Sequence, residues 1–298
     1  MTLILLAWPA HPNRHGYAGA TVLPGSAFAL PCLPEGQCAI LLLLSSSVAA
    51  LWPVSAIPSI ACQERRSMRE KVVVFTGAGV SAESGLRTFR DMGGYWREYA
   101  IESVASPEGW KANPRAVLEF YNERRRAVLQ ASPNAAHLAI AALEARFDVV
   151  VITQNIDDLH ERAGSTNVQH VHGEILKARS SADPSLIYPL ATAVIEMGQL
   201  CEHGSQLRPD VVWFGEAVRF MDEAASEFGR ASRVLTIGTS LSVYPAAGLL
   251  GHGKPSAEKY FVAPEIAHPP PGYRFLQGKA AAVVPHIAQC WLEGRKPC

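Results

Sequence analysis

The sequence predicts an α/β fold, a parallel sheet with helices packed on both faces. Three observations carry this reading. Four short apolar runs rich in β-branched residues recur along the chain. Segments with helix start signals lie between them, the alternation expected of parallel strands joined by helical crossovers. Glycine and polar residues stand directly after the runs, and in open α/β sheets ligands bind just outside the carboxyl ends of the strands.

The elements follow in order. Lys71–Thr76 reads as a buried strand that ends in a tight turn at Gly77-Ala78-Gly79. Asn113-Pro114 marks a helix start, with Asn113 as N-cap and Pro114 at the first helical position, and the helix is expected to run through Tyr121 to about Gln130. Ser132-Pro133 starts another helix, which carries Ala136, Leu138, Ala139, Ala142 and Leu143. Phe147 to Thr153, Val168 to Val171 and Arg233 to Ile237 read as three more strands, and Val283 to Leu292 as a closing helix. Between them, Thr88 to Trp96 reads as a glycine- and aromatic-rich loop. Arg179 to Gln206 fits the sheet pattern poorly and reads as a small inserted lobe. No internal repeat is visible.

At 298 residues the chain has room for one large α/β domain or two small ones. Its 27 basic and 27 acidic residues cancel, so bulk charge gives no reason to expect nucleic acid or an anionic membrane as partner. The six cysteines form no C-x-x-C pair, which argues against a disulfide framework and favours a reducing, cytoplasmic setting. A monomer is expected.

The first 67 residues stand apart. From His15 to Gln63 the only charged residue is Glu35, and Cys38 to Ile60 is long enough to span a bilayer. Ser45-Ser46-Ser47 and Pro53 interrupt it, however, and no basic cluster precedes it. Residues 1–67 are therefore read as a leader, non-native, disordered or targeting, with Met68 as a candidate start of the working domain.

The chemistry begins at Gly77-Ala78-Gly79-Val80-Ser81-Ala82, which fits G-x-G-x-x-(G/A) after a strand. Glycines there let backbone N–H groups approach a pyrophosphate. An ordinary dehydrogenase fits poorly, because the next segment is a loop and not a second strand with a terminal acid.

Five blocks together are more specific. Gly77 to Arg90, Thr153-Gln154-Asn155-Ile156-Asp157-Asp158-Leu159-His160, His172-Gly173-Glu174, Val212-Trp213-Phe214-Gly215-Glu216 and Gly238-Thr239-Ser240 resemble, in order, the signatures of the sirtuin family. The short bacterial-type class III sirtuins are the most similar group. The resemblance covers the chain from Lys71 onward. It implies a Rossmann-like sheet, NAD as cofactor and acylated protein lysines as substrate.

It also implies roles. Gly77, Ala78, Gly79, Ser81 and Ala82 would hold the pyrophosphate. Glu83, Thr88, Phe89, Arg90 and Trp96 would line the cofactor loop. Gln154, Asn155 and Asp157 would orient the nicotinamide and its ribose. Gly238, Thr239 and Ser240 would close the far side, and Val212, Trp213, Phe214, Gly215 and Glu216 would form the acyl-peptide groove. His172 would be the general base, with Asn155 and Asp157 as its catalytic partners; a histidine suits that work because it titrates near neutrality. In the family's reaction the acyl oxygen displaces nicotinamide from NAD, and the products are free lysine, nicotinamide and O-acyl-ADP-ribose.

Tyr121 and Arg124 sit at i and i+3 of the predicted helix and share a face. They resemble the Tyr-x-x-Arg motif of sirtuins that remove succinyl and malonyl groups. A guanidinium takes a carboxylate through two parallel hydrogen bonds, and a phenol adds a third.

Two departures stand out. Most sirtuins bind a structural zinc through four cysteines of the small lobe, whereas here Ser180 and Asp183 occupy the expected places and only Cys201 remains. Asp183, Cys201 and His203 make a partial ligand set, so no metal is expected. Structural zinc contributes folding free energy, so its loss puts the lobe and full activity in question. The strand around Tyr260–Glu265 also lacks the asparagine that usually reads the adenosine ribose. Two further readings therefore stay open, a weakly active NAD and acyl-peptide binding protein and a protein ADP-ribosyltransferase.

Overall fold

The computed structural model describes residues 69–88, 93, 95–96, 99–266 and 268–297, all within one compact unit, Ala61–Cys298. The leader 1–67, Met68, Phe89, Arg90 and the side chain of Trp96 lie outside the described residues.

In chain order the elements are β1 (Lys71–Thr76), β2 (Tyr95–Trp96), β3 (Tyr99–Ala100), α1 (Ile101–Val104), α2 (Pro107–Ala112), α3 (Pro114–Gln130), α4 (Ala135–Ala142), β4 (Asp148–Thr153), α5 (Leu159–Arg162), β5 (Val168–His170), β6 (Gly173–Ser180), β7 (Ile187–Pro189), β8 (Leu207–Val211), α6 (Met221–Arg230), β9 (Arg233–Ile237), β10 (Glu258–Ala263), β11 (Arg274–Gln277) and α7 (Ala280–Leu292). Short 3-10 turns follow β1 at Ala78–Val80 and Ala82–Ser84, and another runs over Ala246–His252.

The main sheet has the order β11-β10-β9-β1-β4-β5, with every pairing parallel. Side chains alternate across it. Val72, Val74, Val149, Val151, Leu235 and Ile237 face α4 and α7, where Ile140, Val284 and Trp291 cover them. Val73, Phe75, Val150, Ile152 and Val234 face α6 and the 246–252 turn, meeting Phe228 and Leu249. A strand covered on both faces has no polar side, which is why these strands appear in the sequence as continuous apolar runs.

A second sheet, β7-β6-β8, is antiparallel and forms the small lobe. The stretch read from the sequence as 179–206 covers only part of it, since β6 begins at Gly173 and β8 ends at Val211. The lobe is tied to α3 from beneath. Asn122 exchanges two hydrogen bonds with the Ile195 backbone, and Arg125 Nε donates to the Ile175 carbonyl at 2.7 Å.

Local signals place most boundaries. Asn113 Oδ1 accepts from Ala116 N, so α3 starts and ends as read. Two helix starts differ. α4 begins at Ala135 and not at Ser132-Pro133, because Asn134 is the N-cap: its Oδ1 accepts from Ala136 N while its own N–H is received by His137 Nδ1. α7 begins three residues before Val283, since Glu83 Oε2 accepts from Ala281 N at 2.8 Å and supplies a cap from 198 residues away. The loop after Thr88 contains a two-residue antiparallel pair, β2 with β3, and β11 was not foreseen.

Candidate active site

The carboxyl ends of β1, β4, β5 and β9 converge, and Gly77–Ser81, Gln154–Asp157, His172 and Gly238–Thr239 gather there. Thr76, the last residue of β1, pairs in register with Thr153, the last of β4, which pairs with His170, the last of β5. The chain leaves this row into the turns that carry Gly77–Ser81, Gln154–Asp157 and His172.

The glycine turn is set by its neighbour across the sheet. Gly77 N donates to the Ile237 carbonyl at 3.0 Å and Gly79 N to the Gly238 carbonyl at 2.8 Å. A Cβ on Gly77 would meet Thr239 Cβ at 2.8 Å, and one on Gly79 would meet Gly238 Cα at 2.7 Å. These glycines are thus required first by the packing of β1's turn against β9's. Among the described residues the Ala78 and Thr239 N–H groups have no hydrogen-bond partner, which leaves two backbone donors available.

Ser81 is the hub of the cluster. It is buried, and its hydroxyl donates to Asp157 Oδ2 at 3.1 Å, accepts from Asn155 Nδ2 at 3.1 Å and faces His137 Nε2 at 3.5 Å. Asp157 Oδ1 accepts from Leu159 N at 3.2 Å. Burial raises the Asp157 pKa above the usual value, against the hydrogen bonds from Leu159 and Ser81. Gln154 Nε2 donates to Thr239 Oγ1 at 3.1 Å and so joins the β4 and β9 ends.

His172 is half-buried and lies with Nδ1 3.0 Å from the Gln154 carbonyl. A carbonyl only accepts, so Nδ1 carries the proton and Nε2 keeps its lone pair. Burial lowers the pKa below 6.5, opposed in part by that hydrogen bond. The ring is therefore neutral at physiological pH, with a free basic nitrogen. Gly173, the next residue, has φ +79°, and a Cβ there would lie 2.2 Å from the Asp210 carbonyl of β8. That crossing explains the His-Gly pair.

Tyr121 and Arg124 do share a face of α3. Tyr121 is buried, which pushes its phenol up to about 12 against the opposing charge of Arg124. Arg124 is half-buried, with its guanidinium 5.7 Å from the Phe120 ring centroid. Burial lowers its pKa, opposed by Tyr121, Asp157 and Glu123, so its charge reaches the Asp157 cluster.

Other predicted residues are placed differently. Trp213 is 2% exposed and packs against Trp110 and the Arg208 guanidinium, so it belongs to the core beside Tyr121. Phe214, 42% exposed, and Gly215 form the open part of that segment. Glu216 receives both Arg179 and Arg208 and the Trp213 N–H, which makes it the pin that holds this segment to the small lobe. The Val212 N–H donates to the His172 carbonyl at 2.9 Å. Ala82 lies in the second turn after β1, and Thr88 is half-buried beyond it. Glu83 is engaged with α7, and Ser240 is exposed and paired with Ser242.

Sequence reasoning gave no individual role to Thr76, Thr153, His160, Glu161 and His170, which stand under the cluster, although Thr153 and His160 lie within the second signature block. The available signal was the alternation His170-x-His172 and a threonine ending each of two strands.

The small lobe has its own polar knot. Ser180 Oγ accepts from Ala182 N at 3.2 Å and Asp183 N at 3.1 Å, and Cys201 Sγ lies 3.5 Å away. Among the described residues no group of three or more His, Cys, Asp or Glu side chains is arranged to hold a metal ion.

A histidine with a fixed tautomer thus stands beside a glycine turn at the carboxyl edge of a parallel sheet, where open α/β sheets bind their ligands. Comparison makes this specific. Residues 77–245 match the Sir2 family, and the chain belongs to that family. It is 49% identical over 213 residues to an NAD-dependent protein deacylase of Helicobacter pylori (strain ATCC 700392 / 26695), covering 71% of this chain and 93% of that protein. Against an NAD-dependent protein deacylase of Escherichia coli (strain K12) identity is 43% over 242 residues, covering 76% and 84%. The fold matches a crystal structure of a Sir2 homolog–NAD complex with a TM-score of 0.69 at 35% identity, over 78% of this chain and 94% of that one.

Proposed function

We propose that this protein is an NAD-dependent protein-lysine deacylase that prefers acidic acyl groups, succinyl and malonyl, over acetyl. The observation that carries the reading is His172 with its proton fixed on Nδ1 and Nε2 free, next to the Ser81–Asn155–Asp157 cluster. The relatives named NAD-dependent protein deacylase support it.

The residues present fit NAD. The Ala78 N–H, at the N-terminal end of a 3-10 turn, and the Thr239 N–H across from it are two backbone donors suited to phosphate. Asn155, Asp157 and Gln154 offer amide and carboxylate groups suited to hydroxyls and a carboxamide. When bound, NAD supplies an electrophilic ribosyl carbon with nicotinamide as the leaving group. Asn155 and Asp157 orient that end of the cofactor, held by Ser81. His172 Nε2 takes the proton of a hydroxyl group, the step for which its neutral form is suited. The exposed Phe214–Gly215 segment borders the peptide, and Arg124 with the Tyr121 phenol receives the distal carboxylate of the acyl chain. Among the described residues no helix is long and apolar enough to cross a membrane, and the cytoplasm suits the free, buried Cys201 and Cys290.

The test mixes the full chain with NAD and either succinyl-lysine or acetyl-lysine peptide, followed by mass spectrometry, with His172→Ala as control. NAD-dependent loss of succinyl, faster than acetyl and absent in the variant, is expected. Faster acetyl removal overturns the acyl preference and leaves the deacylase. Binding of NAD without turnover of either peptide marks a binding protein, and transfer of labelled ADP-ribose to protein marks a transferase.

A further inference from the structure

The short helix α5 (Leu159–Arg162) touches the Asn155–Asp157 segment three times, by three different routes. The first is direct: Leu159 N–H donates to Asp157 Oδ1.

The second runs through the sheet. His160 Nε2 lies 3.0 Å from Thr76 Oγ1, which donates to Thr153 Oγ1 at 2.8 Å, and that oxygen accepts the Asn155 N–H at 3.0 Å. The directions are fixed. Thr76 spends its proton on Thr153, so it accepts from His160, whose proton must sit on Nε2. His160 Nδ1 accordingly has no partner among the described residues. Burial, with His137 and His170 nearby, lowers the His160 pKa well below the ordinary value and keeps that tautomer neutral.

The third route runs through Glu161. Its Oε1 lies 2.7 Å from His170 Nε2, and His170 Nδ1 lies 3.0 Å from the Asn155 carbonyl. A carboxylate and a carbonyl both accept, so His170 donates from both nitrogens as an imidazolium. Burial alone would lower its pKa, but the hydrogen bond and charge of Glu161 and the Asn155 carbonyl outweigh this and raise it.

The peptide groups on either side of Asn155 Cα are thus gripped at once, the N–H by the His160–Thr76–Thr153 relay and the C=O by the Glu161–His170 pair. Both grips end on adjacent residues of one helical turn. That turn is itself fastened to the end of α3, where Arg162 donates to the Val128 and Ala131 carbonyls.

We propose that α5 is a positioning brace for Asn155, and that Glu161, His170, His160, Thr76 and Thr153 are positioning residues that act on the reaction through it. This rests on the reading of Asn155 as part of the NAD site. The brace sets the angle of the Asn155 amide toward the cofactor, where a displacement of about 1 Å costs on the order of a hundredfold in rate.

The experiment uses the full chain with His170→Leu, His170→Asn, Glu161→Ala, Asn155→Ala and the double variant Asn155→Ala/His170→Leu. An asparagine amide can stand where His Nδ1 stands and still donate to the Asn155 carbonyl. Glu161 is exposed, so its removal leaves the core intact. Three readouts are taken: Kd for NAD by calorimetry, kcat and KM for NAD with the better acyl peptide, and hydrogen exchange of the 153–160 amides in the cofactor-free protein. His170→Leu is expected to lose about ten- to a hundredfold in kcat/KM, with His170→Asn recovering most of it and Glu161→Ala falling between. The double variant is expected to be no worse than Asn155→Ala alone, because one residue acts through the other. Exchange at 153–160 should quicken in His170→Leu and Glu161→Ala. Full additivity in the double variant, or unchanged kinetics and exchange in His170→Leu, overturns the brace. If the wild-type protein neither binds NAD nor removes acyl groups, the functional reading fails while the exchange data still decide the brace.

Discussion

Gly79 and Gly238 lie backbone to backbone, and a Cβ on Gly238 would stand 2.4 Å from Val80 N and 2.5 Å from the Gly79 carbonyl carbon. Gly238 also has φ +61°. Gly238→Ala therefore meets both a rigid clash and a left-handed backbone, and is expected to cost about 2–4 kcal/mol. Urea unfolding of the variant measures this. Calorimetry should show NAD binding weakened along with it, since the Gly77–Ser81 turn, proposed to hold the cofactor, must shift to make room.

The pH profile follows from His172. Its pKa lies below 6.5 because of burial, and on the proposed role of general base the neutral ring is the working form. Lowering the pH through that depressed value protonates Nε2 and removes the base. Activity is expected to stay level through neutrality and to fall only on the acid side of 6.5, in a kcat/KM profile taken with the faster peptide. A fall that begins above neutrality would contradict the assignment.

Acid stability is set by buried neutral histidines. His137 is fully buried, and burial lowers its pKa from 6.5 to about 4. Between those values the unfolded chain binds a proton that the folded one refuses, so stability falls as pH drops from about 6.5 to about 4. His137 alone accounts for roughly 3 kcal/mol over that window. His160 acts in the same direction. His170, with its raised pKa, works the opposite way and loses its contribution as pH rises through its folded value. Urea midpoints across this range should fall steeply in the wild-type protein and less steeply in His137→Gln.

The proposed acyl pocket can be tested by subtraction. Hydrogen bonds to a charged group contribute about 1.5–3 kcal/mol each. Arg124→Met is therefore expected to lower kcat/KM for a succinyl-lysine peptide by about ten- to a hundredfold, while acetyl-lysine turnover holds within about threefold. Tyr121→Phe should show the same pattern, more weakly. An equal loss for both peptides would sink the assignment.

The Ser180 knot predicts how the small lobe is held. Ser180→Ala leaves the Ala182 and Asp183 N–H groups without their acceptor and is expected to cost about 1–3 kcal/mol. A chelator is expected to leave the melting temperature unchanged. A fall on chelation would reveal a bound metal and refute this account.

Much of this was legible in the sequence because the signals were local. The Asn113-Pro114 cap, the β-branched runs and the glycine turn each announce themselves within a few residues. The start of α7 was hidden because its cap, Glu83, comes from the other end of the domain. Three consecutive arginines look alike on paper. Arg124 faces the Tyr121 side of α3, while Arg125 is fully buried against Asn122 and Ile175, a difference fixed only when the small lobe closes over the helix. Trp213 and Glu216 read as groove residues because the motif is contiguous, yet three-dimensional packing sends one into the core and the other to a pair of arginines. The row Thr76–Thr153–His170 depends on strand register, which no single segment encodes.

The packing of Gly79 on Gly238 and of Glu83 on α7 has a consequence for how the protein is made. Gly77–Ser81 leave the ribosome early, but the wall they rest on is Gly238–Thr239, and the helix that engages Glu83 begins at Ala280. β1 can pair with β4 once Thr153 has emerged, but its other flank stays open until β9 is translated. A growing chain therefore carries an unsupported Gly77–Ser81 turn until β9 has been made. A truncated product ending before Gly238 therefore holds His172 without the wall on which the Gly77–Ser81 turn rests.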